Sequence, residues 1–296
     1  MKRLRTCLLL LALVATHCGK GSPTQPSPPG TNDPLPGTRT AILVGAGDIG
    51  LCGSRGTDLT GGLVEATLGE VFLVGDIAYP SGNLQSFRDC FEPFWGHARD
   101  RWRPVPGNHE YETADAAGHF QFFGAAAGPP GLGYYRFVAG EWLVLMLNSN
   151  IEAGPGSAQY QFVRESLQSR QFQCQMAMWH HPLFSSGPNG NNVQMRPIFQ
   201  LLFENRVDVV VNGHDHFYER FSRQDPDGRL DENGIRQFIV GTGGADLSRP
   251  VRSAPNSGMV LSTFGIMRFT LRPATYGWEF IEASGQLGDN GNTPCH

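Results

Sequence analysis

The chain has 296 residues and a formal net charge of −4, which excludes the basic surface that a nucleic-acid partner would need. Its 38 glycines and 21 prolines suit a loop-rich α/β or β-rich protein rather than a helical bundle. The length admits one large domain or two small ones.

The chain opens with a leader pattern. Met1-Lys2-Arg3-Leu4-Arg5 is a positive stretch, and Leu8 to Ala15 is an apolar run of signal-peptide length. The run is too short to span a bilayer as a stable helix. Cys18-Gly19-Lys20-Gly21-Ser22 follows and resembles a bacterial lipoprotein signal with Cys18 as the lipid anchor, although His17 stands where a small residue is usual. Residues 1–18 are therefore expected to be a signal peptide. The protein is expected to be exported, as a secreted, periplasmic or membrane-anchored lipoprotein form. Residues 19–38 are rich in Pro, Gly, Ser and Thr and are expected to be a disordered tether.

From residue 39 on, short apolar runs alternate with amphipathic stretches. Strands are expected at Ala41 to Gly45, Glu70 to Val74, Gln175 to Trp179 and Val207 to Val211, because brief apolar runs bounded by turn residues read as interior parallel strands. Helices are expected at Thr57 to Leu68, Leu84 to Phe91, Ala114 to Phe123, Ala158 to Ser169 and Val193 to Asn205. Tyr134 to Val138 and Trp142 to Leu147 flank Ala139-Gly140-Glu141, a hairpin signal. The tail turns β-like at Arg236 to Val240, Gly265 to Arg272 and Tyr276 to Ala283. No composition break divides residues 39–296. The expected fold is one α/β domain of two packed mixed β-sheets flanked by helices.

Four apolar runs break into metal-donor residues: Gly47-Asp48, Gly75-Asp76-Ile77-Ala78-Tyr79, His180-His181-Pro182 and Gly213-His214-Asp215-His216. A fifth motif, Gly107-Asn108-His109-Glu110, follows Arg103-Pro104-Val105-Pro106. Each motif alone also reads as a turn or a buried histidine. Only His214-Asp215-His216 is strong by itself, since residues two apart in extended chain share a face. Together they supply convergent O and N donors at strand ends, where open α/β sheets gather ligands.

In this order the motifs resemble those of the calcineurin-like metallophosphoesterases, and Tyr79 narrows the resemblance to the purple acid phosphatases. The pattern covers residues 41 to 296 and resembles the compact bacterial secreted members, which lack the β-sandwich domain of large plant members. The resemblance makes residues 39–296 a catalytic domain with two metal ions. Asp48, Asp76, Tyr79 and His216 would hold Fe(III), a hard, anionic set suited to a trivalent ion. Asp76, Asn108, His180 and His214 would hold Fe, Zn or Mn, with Asp76 shared. His109 would contact phosphate and assist the leaving oxygen.

His181 is expected to be structural or to lie just outside the ligand set rather than share the site directly, because strand neighbours point to opposite faces. Many relatives carry a further histidine nine positions after the strand-end ligand, whereas this chain has Asn189. The expected reaction is hydrolysis of phosphate esters by a metal-bound hydroxide, that of an acid phosphatase-like phosphomonoesterase acting on a small phosphorylated substrate. A phosphodiesterase or nucleotidase on the same metals is the alternative, since loops such as Gly124 to Gly133 and Gly187 to Asn192 set specificity. A non-catalytic secreted binding protein is the distant one. A metallo-β-lactamase-like site is excluded, because its HxHxDH cluster is absent. The Ser185-Ser186 pair is read as loop, not as a nucleophile.

Cys52, Cys90, Cys174 and Cys295 lie beyond the leader and allow three pairings. Cys52 and Cys90 each follow a strand-end motif, and Cys174 opens a strand at the opposite end, which the tail could reach. The pairs Cys52–Cys90 and Cys174–Cys295 are expected.

Overall fold

The computed structural model describes residues 39–168 and 171–296. The leader, Cys18 and the tether lie outside the described residues. Among the described residues no helix is long and apolar enough to cross a membrane.

Two sheets carry the fold. The first contains β1 (Ala41–Ala46), β2 (Glu70–Val74), β3 (Trp102–Val105), β11 (Gly265–Arg272), β12 (Thr275–Glu282) and β13 (Leu287–Pro294), in the order β13-β12-β11-β1-β2-β3. The second contains β4 (Tyr135–Ala139), β5 (Trp142–Met146), β6 (Cys174–Met178), β7 (Val209–Asn212), β8 (Tyr218–Phe221), β9 (Arg236–Val240) and β10 (Ser257–Leu261), in the order β10-β8-β9-β7-β6-β5-β4. In the second sheet the middle is parallel, β5-β6-β7-β9, whereas in the first the parallel strands β1-β2-β3 run out to the edge strand β3. Antiparallel strands complete the other three edges.

The parallel strands read as unbroken apolar runs because both their faces are buried. Trp142, Val144 and Met146 of β5 and Met176 and Met178 of β6 face the layer between the sheets. Their neighbours Leu143, Leu145 and Ala177 face the helices Ala158–Gln168 and Arg196–Glu204, which contribute Val163, Leu167, Ile198 and Leu202. The helix Arg55–Glu65 packs on the first sheet, its start fixed by the Ser54 side chain, which accepts from Gly56 N–H at 3.1 Å.

The expected elements form, with shifts of a few residues at their ends, and Ser169 at the end of one expected helix lies outside the described residues. The expected helix Leu84 to Phe91 is instead a composite: Leu84–Ser86, a π-helical turn Phe87–Phe91, and Glu92–Trp95. Strands β3, β8, β10 and β13 were not foreseen. β13 reads Leu-Gly-Asp-Asn-Gly-Asn-Thr-Pro, with no strand propensity, and forms because β12 pairs with it along its length. Both expected disulfides are present. Cys52–Cys90 ties the loop after β1 to the helical segment after β2, and Cys174–Cys295 ties the start of β6 to the chain end.

Candidate metal centre

The five motifs meet at one place. Asp48 follows β1, Asp76 and Tyr79 follow β2, Asn108 and His109 follow β3, His180 follows β6, and His214 and His216 follow β7. The loops after β1 and β2 zip together: Asp48 N–H donates to Gly75 O, Ile49 N–H to Asp76 O and Tyr79 N–H to Gly50 O, at 2.9–3.0 Å. The second sheet joins through Gly213 N–H to His180 O at 3.0 Å, and across the sheets His214 N–H donates to Asp48 Oδ2 at 2.8 Å.

The approach is close enough to exclude side chains. A Cβ on Gly75, whose φ is +82°, would lie 2.5 Å from His180 Nδ1, and one on Gly107 would lie 2.2 Å from Asp76 Oδ1. Asp48, Asp76 and His214 take the left-handed region, with φ of 58°, 48° and 74°. That conformation is costly for non-glycine residues and concentrates at functional sites.

The donors form two knots. In the first, Tyr79 Oη lies 3.2 Å from Asp48 Oδ1, 3.2 Å from His216 Nε2 and 3.4 Å from Asp76 Oδ2. In the second, His180 Nε2 lies 3.1 Å from Asp76 Oδ2, 3.2 Å from Asn108 Oδ1 and 3.2 Å from His214 Nδ1. Asp76 Oδ2 belongs to both.

Each donor is held from behind. Asp48 Oδ2 and Asp76 Oδ1 accept backbone N–H groups from His214 and His109, which leaves Asp48 Oδ1 and Asp76 Oδ2 facing inward. His180 Nδ1 donates to Val74 O at 2.9 Å and His216 Nδ1 to Asp246 O at 2.7 Å, so each Nε2 faces the site. Such outer partners fix ligand orientation and tautomer.

These residues fit cations. With Nδ1–H spent on Val74, a neutral His180 aims a lone pair at a carboxylate oxygen, an amide oxygen and another imidazole nitrogen. Only positive charge among them relieves that crowding. Without an ion, a proton has to serve. Burial works against the charged His180 and His216 rings, yet Asp76 for His180 and Asp48 for His216 hold both at about 9. Burial would raise the Asp76 carboxyl, but His180 and His109 hold it well below the usual carboxylate range. Burial, Asp48 and Asp76 push the Tyr79 phenol well above its ordinary 10.

His109 lies at the edge, about one-third exposed, with Nδ1 2.5 Å from Pro80 O, its ring 4.4 Å from that of Tyr79, and Nε2 3.9 Å from Asp76 Oδ2. Asn189 lies beside the site, its Nδ2 donating to His214 O at 2.7 Å. Ser185 and Ser186 are buried and donate to Asp215 and Glu219, so both hydroxyls hold the loop. His97 lies in the helical turn Gly96–Arg101, His119 is buried among Phe87, Phe120 and Phe123, and His296 is pinned to Asp208, all outside the cluster.

His181 lies closer to the cluster than strand alternation alone would place it. One ring nitrogen each of His180, His181 and His214 lie within 4.8 Å of one another. β6 ends at Met178, so strand alternation no longer governs His181. Two further residues escaped sequence reasoning. Glu110 is fully buried and accepts from Gly107, Asp76, Ile77 and Ala78 N–H groups, clasping two motif loops. Burial and Asp76 raise its carboxyl to about 7. The acid closing Gly107-Asn108-His109-Glu110 was the signal. Ser149, after β5, had no signal of its own.

A calcineurin-like phosphoesterase family model matches residues 46–218. A probable purple acid phosphatase 20 of Arabidopsis thaliana is 28% identical over 238 residues, covering 69% of this chain and 55% of the relative. The chain spans about half the length of the curated relatives it matches, 55% and 46% for two Arabidopsis thaliana phosphatases. Among solved structures, the yellow lupin purple acid phosphatase PPD1 superposes with a TM-score of 0.78 at 18% identity, over 87% of this chain and 54% of the other. GAP50, the anchor in the inner membrane complex of Plasmodium, superposes with a TM-score of 0.69 at 13% identity, over 87% and 89%. These likenesses are of fold, and with the family match over more than half the chain they lead to one conclusion: the chain belongs to the calcineurin-like phosphoesterase family.

Proposed function

We propose that this chain hydrolyses phosphate monoesters at a pair of metal ions. One observation carries the proposal: Asp76 Oδ2 lies between two separate donor knots, within 3.1 Å of His180 Nε2 and 3.4 Å of Tyr79 Oη. One shared inward carboxylate oxygen with donors on either side suits two cations sharing a bridge.

Asp48, Tyr79, His216 and Asp76 would hold Fe(III), and Asp76, Asn108, His180 and His214 would hold Fe, Zn or Mn. Such ions, when bound, lower the pKa of a water from about 15.7 toward 7 and offset the charge of a phosphoryl group. The chain's residues do the rest. The backbone N–H groups of His109 and His214 keep one oxygen of each aspartate out of the way. Packing against the Tyr79 ring and the bond to Pro80 O hold His109 with Nε2 3.9 Å from Asp76 Oδ2, at the edge of the cluster, where it can contact phosphate and pass a proton to the leaving oxygen. Asn189 carries no titratable proton.

The leader motif supports export, as a secreted, periplasmic or Cys18-anchored lipoprotein form, with residues 39–296 as the catalytic domain. The two disulfides suit an oxidising compartment. The loops of residues 124–133 and 187–192 would set the small phosphorylated substrate.

The test is elemental analysis of the purified protein together with turnover of p-nitrophenyl phosphate and its bis-ester. Two ions per chain and preference for the monoester are expected. Asp76→Asn should bind fewer than two ions and lose most activity. Preference for the bis-ester would favour the diesterase reading, and full occupancy with normal turnover in Asp76→Asn would remove the bridge.

A further inference from the structure

Three imidazoles converge where β6 and β7 end, and the metal sets proposed above use two of them. The His181 ring lies 4.4 Å from the His214 ring and 4.9 Å from the His180 ring, centroid to centroid. It is firmly placed. Its carbonyl accepts from Trp179 Nε1 at 2.7 Å, its N–H donates to Ser149 Oγ at 3.1 Å, and its Nδ1 lies 2.8 Å from the same Oγ.

Ser149 decides the tautomer. It is buried, at 2% exposure, and a hydroxyl has one proton to give. Its oxygen already accepts the His181 amide, and among the described residues His181 Nδ1 is the acceptor available to its O–H. A proton on Nδ1 would leave the buried hydroxyl hydrogen without a partner, which costs more than a bond gains. The proton therefore sits on Nε2. An Nε2–H cannot ligate a cation but can donate a hydrogen bond.

We propose that His181 donates through Nε2–H to an oxygen of the phosphoryl group bound beside His180 and His214, with Ser149 as the residue that positions it. The proposal rests on the phosphoesterase reading, and its test reads phosphate binding rather than turnover alone.

The experiment uses the metal-loaded full chain. Inorganic phosphate binding is measured by calorimetry, metals per chain by elemental analysis, and kcat and KM with p-nitrophenyl phosphate. His181→Ala should keep wild-type metal content and bind phosphate about 10-fold more weakly or worse, the scale of one hydrogen bond to a charged group. His181→Gln keeps an N–H donor and should recover part of that loss. Ser149→Ala should weaken phosphate in the same direction by a smaller factor, with the metals retained. Loss of an ion in His181→Ala at saturating metal would make His181 a ligand and overturn the proposal. Unchanged phosphate affinity in both His181 variants would also overturn it. A wild-type protein that binds phosphate without hydrolysing the ester would sink the enzyme reading and leave the His181 assignment to be judged on binding.

Discussion

Tyr79 concentrates the chemistry at the residue scale. It is 8% exposed, and burial together with Asp48 and Asp76 keeps its phenol protonated far beyond ordinary pH. Only a strong Lewis acid would displace that proton, which is why the first knot suits a trivalent ion. If that ion is Fe(III), phenolate-to-iron charge transfer should colour the oxidised protein violet. Tyr79→Phe keeps the ring that packs against His109 and removes the oxygen, so the visible band should vanish while folding persists. Some hydrolysis should remain, because Asp48, Asp76 and His216 still face the ion. A two-metal wild-type protein with no iron and no visible band would end the iron-phenolate assignment.

Among the elements, the helical segments between residues 84 and 123 show what local packing costs. Phe87, Phe91, Trp102, Phe122 and Phe123 form an aromatic nest, and His119 lies against it fully buried with neither ring nitrogen bonded. Burial alone depresses its pKa to about 3. The unfolded chain takes up the proton near 6.5 and the folded chain only near 3, so stability falls as pH drops through that window. Each pH unit costs about 1.4 kcal/mol. His119→Leu should remove this term. Its unfolding free energy relative to wild type should rise between pH 8 and pH 5 by about 2 kcal/mol, measured by urea denaturation at both values. A gap independent of pH would mean that His119 finds a partner or water in solution.

At the scale of the whole molecule, the sheets are joined by a polar clamp as well as by the apolar layer. Asp289 of β13 accepts from Tyr218 Oη at 2.6 Å and Arg220 Nε at 2.6 Å, both on β8 of the other sheet, and from Trp278 Nε1 at 3.2 Å. Tyr218 also stacks on Phe280 at 4.2 Å. Asp289→Ala would leave a largely buried guanidinium and phenol without their acceptor. It should lower stability by about 2 kcal/mol while leaving metal content unchanged. Since metal-site donors come from both sheets, loss of metal in this variant would show that sheet docking sets the site geometry directly.

Much of this was legible in the residues. Apolar runs such as Val207 to Val211 mark buried parallel strands because a chain covered on both faces must be apolar throughout, and a donor at the end of each run marks where backbone stops pairing and chemistry begins. Asp48, Asp76, Tyr79, Asn108, His180, His214 and His216 could be picked out because their types and order are themselves the signal. What the tertiary structure decided depends on partners distant in sequence. β13 is a strand because β12 offers it a ladder, whatever its own composition. His181 faces the cluster because the strand ends at Met178, three residues earlier, and Ser149, 32 positions away, takes up its amide and Nδ1. Glu110 clasps four amides from two loops, and no spacing along one chain can announce where another loop will present its N–H groups. The sequence by itself determined which atoms are available as donors. Folding determined which of them face the same point, because that depends on how two sheets dock.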